Sequence, residues 1–457
     1  MKDLPTGENK MGVAPVLPLI FKMSLPAMFS MLIQALYNVV DSIFVSYVAK
    51  EALTAVSLAF PVQNLMIAVA VGTGVGINSV IARRLGEKRQ EEADRAAAHG
   101  VVFALISALA FALIGFFFSR PFLAAFSDTP AVVDYGAQYL TVITVFGGFA
   151  FVQVSMEKIL QATGDMLIPM ISHLVGACSN IILDPIMIFG LLGFPAMGVA
   201  GAAIATVTGQ AFGMTTCLLF ILLKEHKVKV SLRHFRFRPQ TVKDIYSVGV
   251  PSIIMQSIAS VMSSGMYAIL GGFSETAMTV FGVYFKLQSF VFMPVFGLNQ
   301  GVMPIMGYNY GARNKKRLMA ALRYGVTIAF CLMTVGMLVF MIFPQVLLSF
   351  FNADAEMYRM GVPALRYISL SFPLAAVGIL LSTLFQALGF GSRSMMISLM
   401  RQLIFILPLA FIFARLGVDF VWLAFPVAEC FATAVSFYFF RQIYKTRIEP
   451  LDRPADM

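Results

Sequence analysis

Residues 180–206 read NIILDPIMIFGLLGFPAMGVAGAAIAT and show the pattern that the whole chain follows. An apolar run ends, a short segment with Gly and Pro intervenes, and a second apolar run begins. One carboxylate, Asp184, lies within the first run, where hydrocarbon penalises an ionisable side chain. The apolar runs along the chain reach roughly 20 residues, the length that crosses a bilayer core as a helix.

Composition assigns the class of protein. Of the 457 residues, 59% are hydrophobic and 12% are charged, and the mean hydropathy is +0.83. A soluble domain averages about 45–50% apolar and about 25% charged residues. The four cysteines lie in apolar runs without metal-ligand spacing, which favours neither a disulfide framework nor a zinc site. The N-terminus lacks the pattern of a signal peptide, so the first run is expected to remain as a membrane helix. The sequence therefore predicts an all-α polytopic membrane protein.

The apolar runs predict twelve transmembrane helices. Their ranges are 17–47, 53–81, 96–118, 135–160, 168–190, 199–223, 243–273, 276–306, 317–343, 360–386, 394–415 and 420–440. Most of the 33 Lys and Arg residues fall at the two termini or in the loops after even-numbered spans. The opposite loops carry only Lys50, Arg120, Arg359, Arg366 and Arg415. Because positive loops stay inside, we expect a multi-pass protein of the cell inner membrane with both termini cytoplasmic. The net charge of +10 is then a topology signal and not evidence of nucleic-acid binding.

The two halves of the sequence repeat. Pro26 and Pro251, Gln63 and Gln288, Gly86 and Gly311, and Gln161 and Gln386 each lie 225 positions apart in similar local sequences. Four pairs with one constant offset indicate duplication of a six-helix unit. Six spans return the chain to the same side, so the sequence predicts a parallel repeat of the kind that places a binding site between halves near the midplane.

The repeat defines four predicted regions: an N-terminal six-helix bundle over 1–223, a basic cytoplasmic linker over 224–240, a C-terminal six-helix bundle over 241–440 and a cytoplasmic tail over 441–457. The linker contains KEHKVKVSLRHFRFRP. This basic segment could also bind a partner or anionic lipid, but a connection between the two bundles is the simpler interpretation.

Several of these segments resemble the multidrug and toxin extrusion (MATE) family, in its bacterial multidrug branches. They are the proline-containing first helix with Asp41, the loop ARRLGEKR, the turn LQATGD and the stretch NIILDPIMIFGLLGFPAMGVAGAAIAT. The resemblance covers almost the whole chain. It implies two six-helix bundles around a central cavity, and export of cationic organic compounds in exchange for protons or sodium.

Two carboxylates are the leading candidates for ion coupling. Asp41 and Asp184 each lie about six residues before the outer end of their spans, so both sit roughly 9 Å below the outer surface. Two carboxylates in one dry site do not both ionise easily, and the pair is expected to titrate jointly. Asn180 lies on the same helical face as Asp184. The resemblance adds Thr206, and oxygen ligands suit hard cations. The candidate coupling residues, which are also the candidate Na⁺ ligands, are Asp41, Asn180, Asp184 and Thr206.

The acids have no counterparts in the second half, since the repeat places Met266 and Leu409 at the equivalent positions. Lys286 is a further charge within a span, whereas His173 and Glu429 are expected to be satisfied structural groups. Polar, aromatic and Met side chains on four spans form the predicted substrate cavity, because aromatic faces attract organic cations and methionines adapt to varied ligands. These residues are Gln34, Tyr37, Asn38, Gln63, Met255, Gln256, Ser260, Tyr267, Lys286, Gln288 and Phe292.

The sequence lacks any ATP-binding motif, so an ion gradient is the expected energy source. We therefore predict a monomeric secondary active antiporter, without cofactor, that exports cationic and lipophilic organic compounds in exchange for H⁺ or Na⁺ by alternating access. A flippase or exporter of a lipid-linked or other amphiphilic metabolite is the alternative, although Lys286 alone offers little positive charge for phosphate. A membrane enzyme would need His or metal partners for its acids, and a receptor or scaffold would not need buried acids.

Overall fold

The computed structural model describes the backbone of residues 9–46, 50–223, 228–231, 235–351 and 353–452. Side chains are described over the same ranges except at 37–43, 45, 46, 50, 53 and 452. Within these ranges the chain is helical, with turns and no strand. This confirms the predicted all-α class.

The helices of the N-terminal half follow the predicted spans closely. They are α1 (Lys10–Val13), α2 (Val16–Ser46), α3 (Lys50–Gly86), α4 (Gln90–Ala124), α5 (Pro130–Phe146), α6 (Gly148–Ala162), α7 (Leu167–Phe189) and α8 (Gly198–Leu223). The helices α5 and α6 form one apolar span that bends by 44°. The bend falls at Gly147, and glycine is a common site of helix kinks.

The C-terminal half contains the corresponding helices. They are α9 (Pro239–Gly271), α10 (Glu275–Gly311), α11 (Lys315–Ile342), α12 (Pro344–Ser349), α13 (Ala355–Ser369), α14 (Phe372–Ala387), α15 (Gly391–Leu399), α16 (Leu407–Ala414), α17 (Val418–Val421) and α18 (Ala424–Ile443). The pair α13 and α14 forms a span bent by 46°. With each bent pair counted as one span, the described residues contain the twelve predicted apolar spans.

Two segments of the last spans differ from regular α-helix. A π-helical segment, Met400–Ile406, joins α15 to α16. Pro408 follows it and lacks the N–H that would continue the α-helical ladder. Beyond α18, the segment predicted as a tail continues as a π-helix over Tyr444–Ile448 and a 3₁₀ turn over Glu449–Asp452.

The internal repeat is visible in the backbone. Gly164 and Gly389, which lie 225 positions apart, have φ angles of 91° and 90° at the ends of equivalent helices. Lys88 and Arg313, another pair with the same offset, have φ angles of 60° and 55°. A side chain in this left-handed region is uncommon, so its recurrence at both positions indicates that the duplicated sequence retained its turn geometry.

The chain forms two compact units that divide it differently from the predicted ranges 1–223 and 241–440. The N-terminal unit comprises Phe29–Ile81 and Arg89–Gly249, and the C-terminal unit comprises Met1–Met28, Ala82–Lys88 and Val250–Met457. The first part of α2 therefore belongs to the C-terminal unit, where the Ser24 hydroxyl donates a hydrogen bond to the Leu298 carbonyl oxygen, 3.4 Å away. The first part of α9 belongs to the N-terminal unit, where Gly76 packs against the Ile245 carbonyl.

The described parts of the basic linker are also attached to the N-terminal unit. Asp94 on α4 accepts a hydrogen bond from the Lys229 backbone N–H at 2.9 Å. The ring of His99, on the same helix, accepts one from the Arg238 backbone N–H at 3.1 Å. The aromatic ring of Phe235 also packs against His99, with centroids 4.8 Å apart. These contacts make the described linker residues part of the packed surface of α4.

Two glycines permit a symmetric helix crossing within the C-terminal unit. Gly86, the last residue of α3, packs against the Tyr308 carbonyl of α10. Gly311, the last residue of α10, packs against the Arg83 carbonyl of α3. Arg83 and Tyr308 are themselves 225 positions apart, so the same contact occurs twice with the roles exchanged. Neither position has room for a Cβ atom.

Replacing Gly311 by Ala is therefore expected to lower the unfolding free energy by about 1–3 kcal/mol, because the added methyl group overpacks the crossing. Thermal unfolding of the purified protein in detergent measures the change. Gly249→Ala is the matched control, since the atoms nearest its new Cβ, the Gly72 carbonyl oxygen and Tyr246 Cδ1, would lie 3.4 Å away. Equal unfolding midpoints for the two variants would contradict this packing.

Candidate functional site

Asn180, Asp184 and Thr206 form a buried polar cluster between α7 and α8. Their exposed fractions are 2%, 0% and 4%. Asn180 and Asp184 lie one helical turn apart on α7, so both face the same neighbour. The structure thus brings together three of the four predicted coupling residues.

Two glycines allow α7 and α8 to approach closely beside this cluster. A Cβ atom at Gly176 would lie 3.1 Å from the Gly209 carbonyl oxygen, and one at Gly209 would lie 2.7 Å from the Gly176 carbonyl oxygen. Small residues at facing positions are the usual means of close helix packing within membranes. The short distance between the backbones places Thr206 within reach of Asn180.

The Asn180 amide connects the other two residues. In one orientation its Nδ2 lies 3.3 Å from both Asp184 Oδ1 and Thr206 Oγ1. Rotating the amide by 180° lets its N–H donate to Asp184 Oδ2 at 2.9 Å while its oxygen accepts from the Thr206 backbone N–H at 3.0 Å. The second orientation has shorter hydrogen bonds and gives each amide atom a suitable partner. Asn180 therefore positions the carboxylate of Asp184.

The side chains of Tyr37, Asn38 and Asp41 lie outside the described residues, although their backbone belongs to α2. The predicted meeting of Asp41 with Asp184 therefore stays a prediction. Another cavity candidate, Gln63, is described, and its Oε1 lies 3.5 Å from the hydroxyl of the buried Tyr139. Gln34 is half-buried on α2 in the same unit.

The remaining cavity candidates lie in the C-terminal unit on α9 and α10. Tyr267 is 38% exposed, and its ring meets the edge of Phe281 with centroids 5.2 Å apart. Phe292 contacts Phe372 in an edge-to-face arrangement at 5.3 Å. Ser260 and Lys286 are exposed, whereas Met255, Gln256 and Gln288 are half-buried. No ion pair involves Lys286 among the described side chains.

The two expected structural groups each have a charged partner. Glu429 lies 3.7 Å from Arg401 in the C-terminal unit. His173 lies 3.0 Å from Glu157 in the N-terminal unit. Sequence reasoning missed Glu157 because it lies beside Lys158 near the end of the predicted span 135–160, where a charged pair is typical of the border between a span and a loop. The spacing of Gln153, Glu157 and Gln161 by four residues was the available signal of a polar helical face.

Removing the Asn180 amide is expected to weaken the structure because Asp184 loses a buried hydrogen-bond donor. Asn180→Ala should lower the unfolding free energy by about 1–3 kcal/mol. A double-mutant cycle with Asp184→Asn isolates the interaction. We expect Asn180→Ala to have a smaller effect in the Asp184→Asn background, and strictly additive effects would contradict this interaction.

Comparison with known proteins extends over nearly the whole chain. The profile of the MatE family matches residues 26–186 and 251–412. The multidrug export protein MepA of Staphylococcus haemolyticus (strain JCSC1435) is 25% identical over 390 residues, which cover 85% of each chain. An FAD transporter of Shewanella oneidensis is 24% identical over 442 residues, covering 94% of this chain and 95% of its own. The solved outward-facing structure of a multidrug resistance MATE family transporter of the MOP superfamily matches with a TM-score of 0.92 and 28% identity, covering 99% of this chain and 100% of that one.

Proposed function

The chain belongs to the MATE family of membrane transporters, and from this premise we propose that it is a secondary active antiporter. It exports cationic, lipophilic organic compounds in exchange for H⁺ or Na⁺ by alternating access. The protein acts as a monomer in the cell membrane, with both termini cytoplasmic, as the distribution of Lys and Arg favours.

The buried Asp184 is the observation that carries this proposal. A charged carboxylate within a membrane span is unfavourable unless its charge is compensated, and such residues commonly mark ion pathways. Asp184 is fully buried yet lies only five residues, or about 8 Å along the axis, from the end of α7. A proton or a small cation that binds there from the nearby membrane face compensates the charge. The occupied and empty states therefore differ strongly in free energy, which is what coupling requires.

The oxygen atoms at and around Asp184 could bind either H⁺ or Na⁺. When the Asn180 amide turns its oxygen toward Asp184, the carboxylate, this amide oxygen and the Thr206 hydroxyl are hard oxygen ligands of the kind that alkali and alkaline-earth cations prefer. The same carboxylate takes up a proton without any further ligand. An inward flow of either ion supplies about 2.3 kcal/mol per charge for each 100 mV of membrane potential, in addition to the concentration gradient.

The cargo class rests on the relatives and on the C-terminal unit. MepA is named as a multidrug export protein, and the aromatic side chains Tyr267 and Phe292 offer faces to organic cations. The FAD transporter supports a second candidate, the export of an anionic amphiphilic metabolite. The exposed ammonium group of Lys286 also favours that candidate. Net export of FAD, and not of a cationic dye, by vesicles containing the wild-type protein would select it.

Asp184→Asn tests the coupling role directly. We expect cells that express this variant to retain a cationic dye that the wild-type protein expels, because the amide neither binds a proton near neutral pH nor carries a negative charge. Dye efflux is measured at matched amounts of protein in the membrane. Asp134→Asn is the control, since Asp134 is an exposed acid 2.9 Å from Arg120. Wild-type efflux by Asp184→Asn would overturn the role of Asp184.

A further inference from the structure

A second buried polar cluster lies in the N-terminal unit, centred on Glu157 of α6. The Glu157 side chain accepts hydrogen bonds from Gln153 Nε2 at 3.0 Å and from the Ser172 hydroxyl at 3.1 Å. The His173 ring places its Nε2 3.0 Å from the other carboxylate oxygen. Glu157 is 2% exposed and Ser172 is 0% exposed. Three donors thus converge on one buried carboxyl group.

The Ser172 hydroxyl lies within hydrogen-bonding distance of two acceptors. Its oxygen lies 3.1 Å from Glu157 Oε1 and 2.9 Å from the Gly213 carbonyl oxygen of α8. A hydroxyl has one proton to donate, so it bonds to only one of them at a time. It can donate to a charged Glu157, or turn to Gly213 when Glu157 is neutral. Gln153 also lies 3.0 Å from the Ser172 oxygen and satisfies it in both cases. The cluster therefore accommodates either charge state of Glu157 without an unsatisfied buried group.

His173 is the most exposed member of this cluster. Its side chain is 23% exposed, whereas that of Glu157 is 3% exposed. The Nε2 atom faces Glu157, and no hydrogen bond to the Nδ1 atom is found among the described residues. A half-exposed ring beside a buried carboxylate is a suitable entry point for a proton, because imidazole both accepts and donates protons near neutral pH.

Glu157 forms an ion pair with His173, and Lys158 and Cys217 also lie within electrostatic reach of its carboxyl group. Lys158, on the same helix, donates to Gln161 Oε1 at 2.9 Å. The thiol of Cys217 on α8 lies against the Ser172 hydroxyl, and the carboxylate of Asp165 in the α6–α7 turn lies within electrostatic reach of this thiol. The helices α3 and α4 line the space beside α6 with the uncharged Thr73, Gly74, Gly100, Ala104 and Ser107.

The two clusters share a pair of helices. Ser172 and His173 lie near the start of α7, whereas Asn180 and Asp184 lie near its end. His173 is about 9 Å from the beginning of α7, and Asp184 is about 16 Å farther along the axis. On α8, Gly213 contacts the first cluster and Thr206 contacts the second. The Gly176–Gly209 backbone contact lies between them.

We propose that Glu157 and His173 form a second proton-binding site, at the opposite end of α7 from Asp184. The proposal rests on the antiport function given above and adds an inner site to it: Asp184 exchanges its ion with the outer face, and the Glu157–His173 pair exchanges a proton with the cytoplasmic face. Because α7 carries residues of both clusters, a shift of this helix acts on both sites.

The proton balance of the inner site is simple. In the unloaded state Glu157 is a carboxylate and His173 is a neutral ring that donates Nε2–H to it. A proton from water adds to Nδ1 and gives an imidazolium ion beside the carboxylate. Transfer of the Nε2 proton to Glu157 then leaves a neutral carboxyl group and a neutral ring with its proton on Nδ1. One proton has been gained in either loaded form, and release to the cytoplasm reverses these steps.

Proton uptake by the purified full-length protein tests the proposal. Weakly buffered protein in detergent is acidified from about pH 8 to about pH 5, and uptake is followed with a pH-indicator dye. We expect Glu157→Gln and His173→Gln each to take up less than the wild-type protein, and the double variant to lose little more than either. Wild-type uptake by Glu157→Gln would overturn the site.

A transport assay separates a proton site from a structural ion pair. Dye export by vesicles is measured while the pH on the cytoplasmic side varies and the outer pH stays fixed. We expect dye export by Glu157→Gln to be independent of the cytoplasmic pH. Glu429→Gln removes another buried ion-paired acid and is expected to keep that dependence, whatever its rate. The same loss in both variants would contradict a specific role for Glu157.

Different results would reject the proposed inner proton site and the proposed antiport function. If the wild-type protein shows no ion-driven export while Glu157→Gln still takes up less proton, the antiport proposal fails and the site stands. If export is proton-driven but Glu157→Gln keeps both its uptake and its pH profile, the site alone fails.

Should the variants not fold, nuclear magnetic resonance of ¹⁵N-His-labelled wild-type protein decides the matter. The sequence has only four histidines, and the His173 signal is predicted to change its protonation or tautomer between about pH 5 and 8. Selective labelling of the segment around His173 assigns the signal of this residue without the need for a variant. A ring fixed in one state throughout would overturn the proposal.

Discussion

Close contact between α7 and α8 holds the buried polar residues of the N-terminal unit together. Within a membrane, polar groups must find their partners inside the protein. The polar face of α7 carries Ser172, Asn180 and Asp184, and α8 supplies partners for it only because Gly176 and Gly209 let the two backbones approach. Larger side chains at either glycine would separate the helices and leave buried carboxyl and amide groups unsatisfied.

The two halves share their backbone features but not their buried acidic residues. The two halves share bent spans, left-handed glycines and a symmetric crossing at Gly86 and Gly311. The acids do not repeat: the positions 225 residues after Asp184 and Glu157 are Leu409 and Ser382. Repeated backbone features maintain helix geometry in both halves. The buried Asp184 and Glu157 clusters occur in the N-terminal unit, and ion coupling is accordingly proposed for that unit.

Much of the fold was predictable from the sequence because a bilayer constrains the length and the polarity of the segments that cross it. Span length, the distribution of Lys and Arg, and the offset of 225 identified the helices and the repeat. The spacing of Asn180 and Asp184 by four residues also predicted that both share one face of α7, and in the structure this face contacts Thr206 of α8. These signals are local or periodic, so a single sequence reveals them.

Other features depend on long-range packing and were not predictable in this way. The first part of α2 belongs to the C-terminal unit, and the first part of α9 belongs to the N-terminal unit. This assignment depends on contacts between residues far apart in sequence, such as Ser24 and Leu298. Glu157 was missed because a charged pair at the end of an apolar run looks like a loop until His173 is placed beside it. The bend at Gly147 was hidden because a glycine within an apolar run is equally compatible with a straight helix.

Imposed ion gradients test whether an ion bound at Asp184 drives export. Purified protein is reconstituted into vesicles, and a proton gradient or a sodium gradient is imposed separately while accumulation of a cationic dye is measured. We expect at least one of these gradients to drive accumulation of the dye against the concentration gradient of the dye, and we expect Asp184→Asn to abolish this accumulation. Dye accumulation that responds to neither gradient, or that persists in Asp184→Asn, would contradict this role of Asp184.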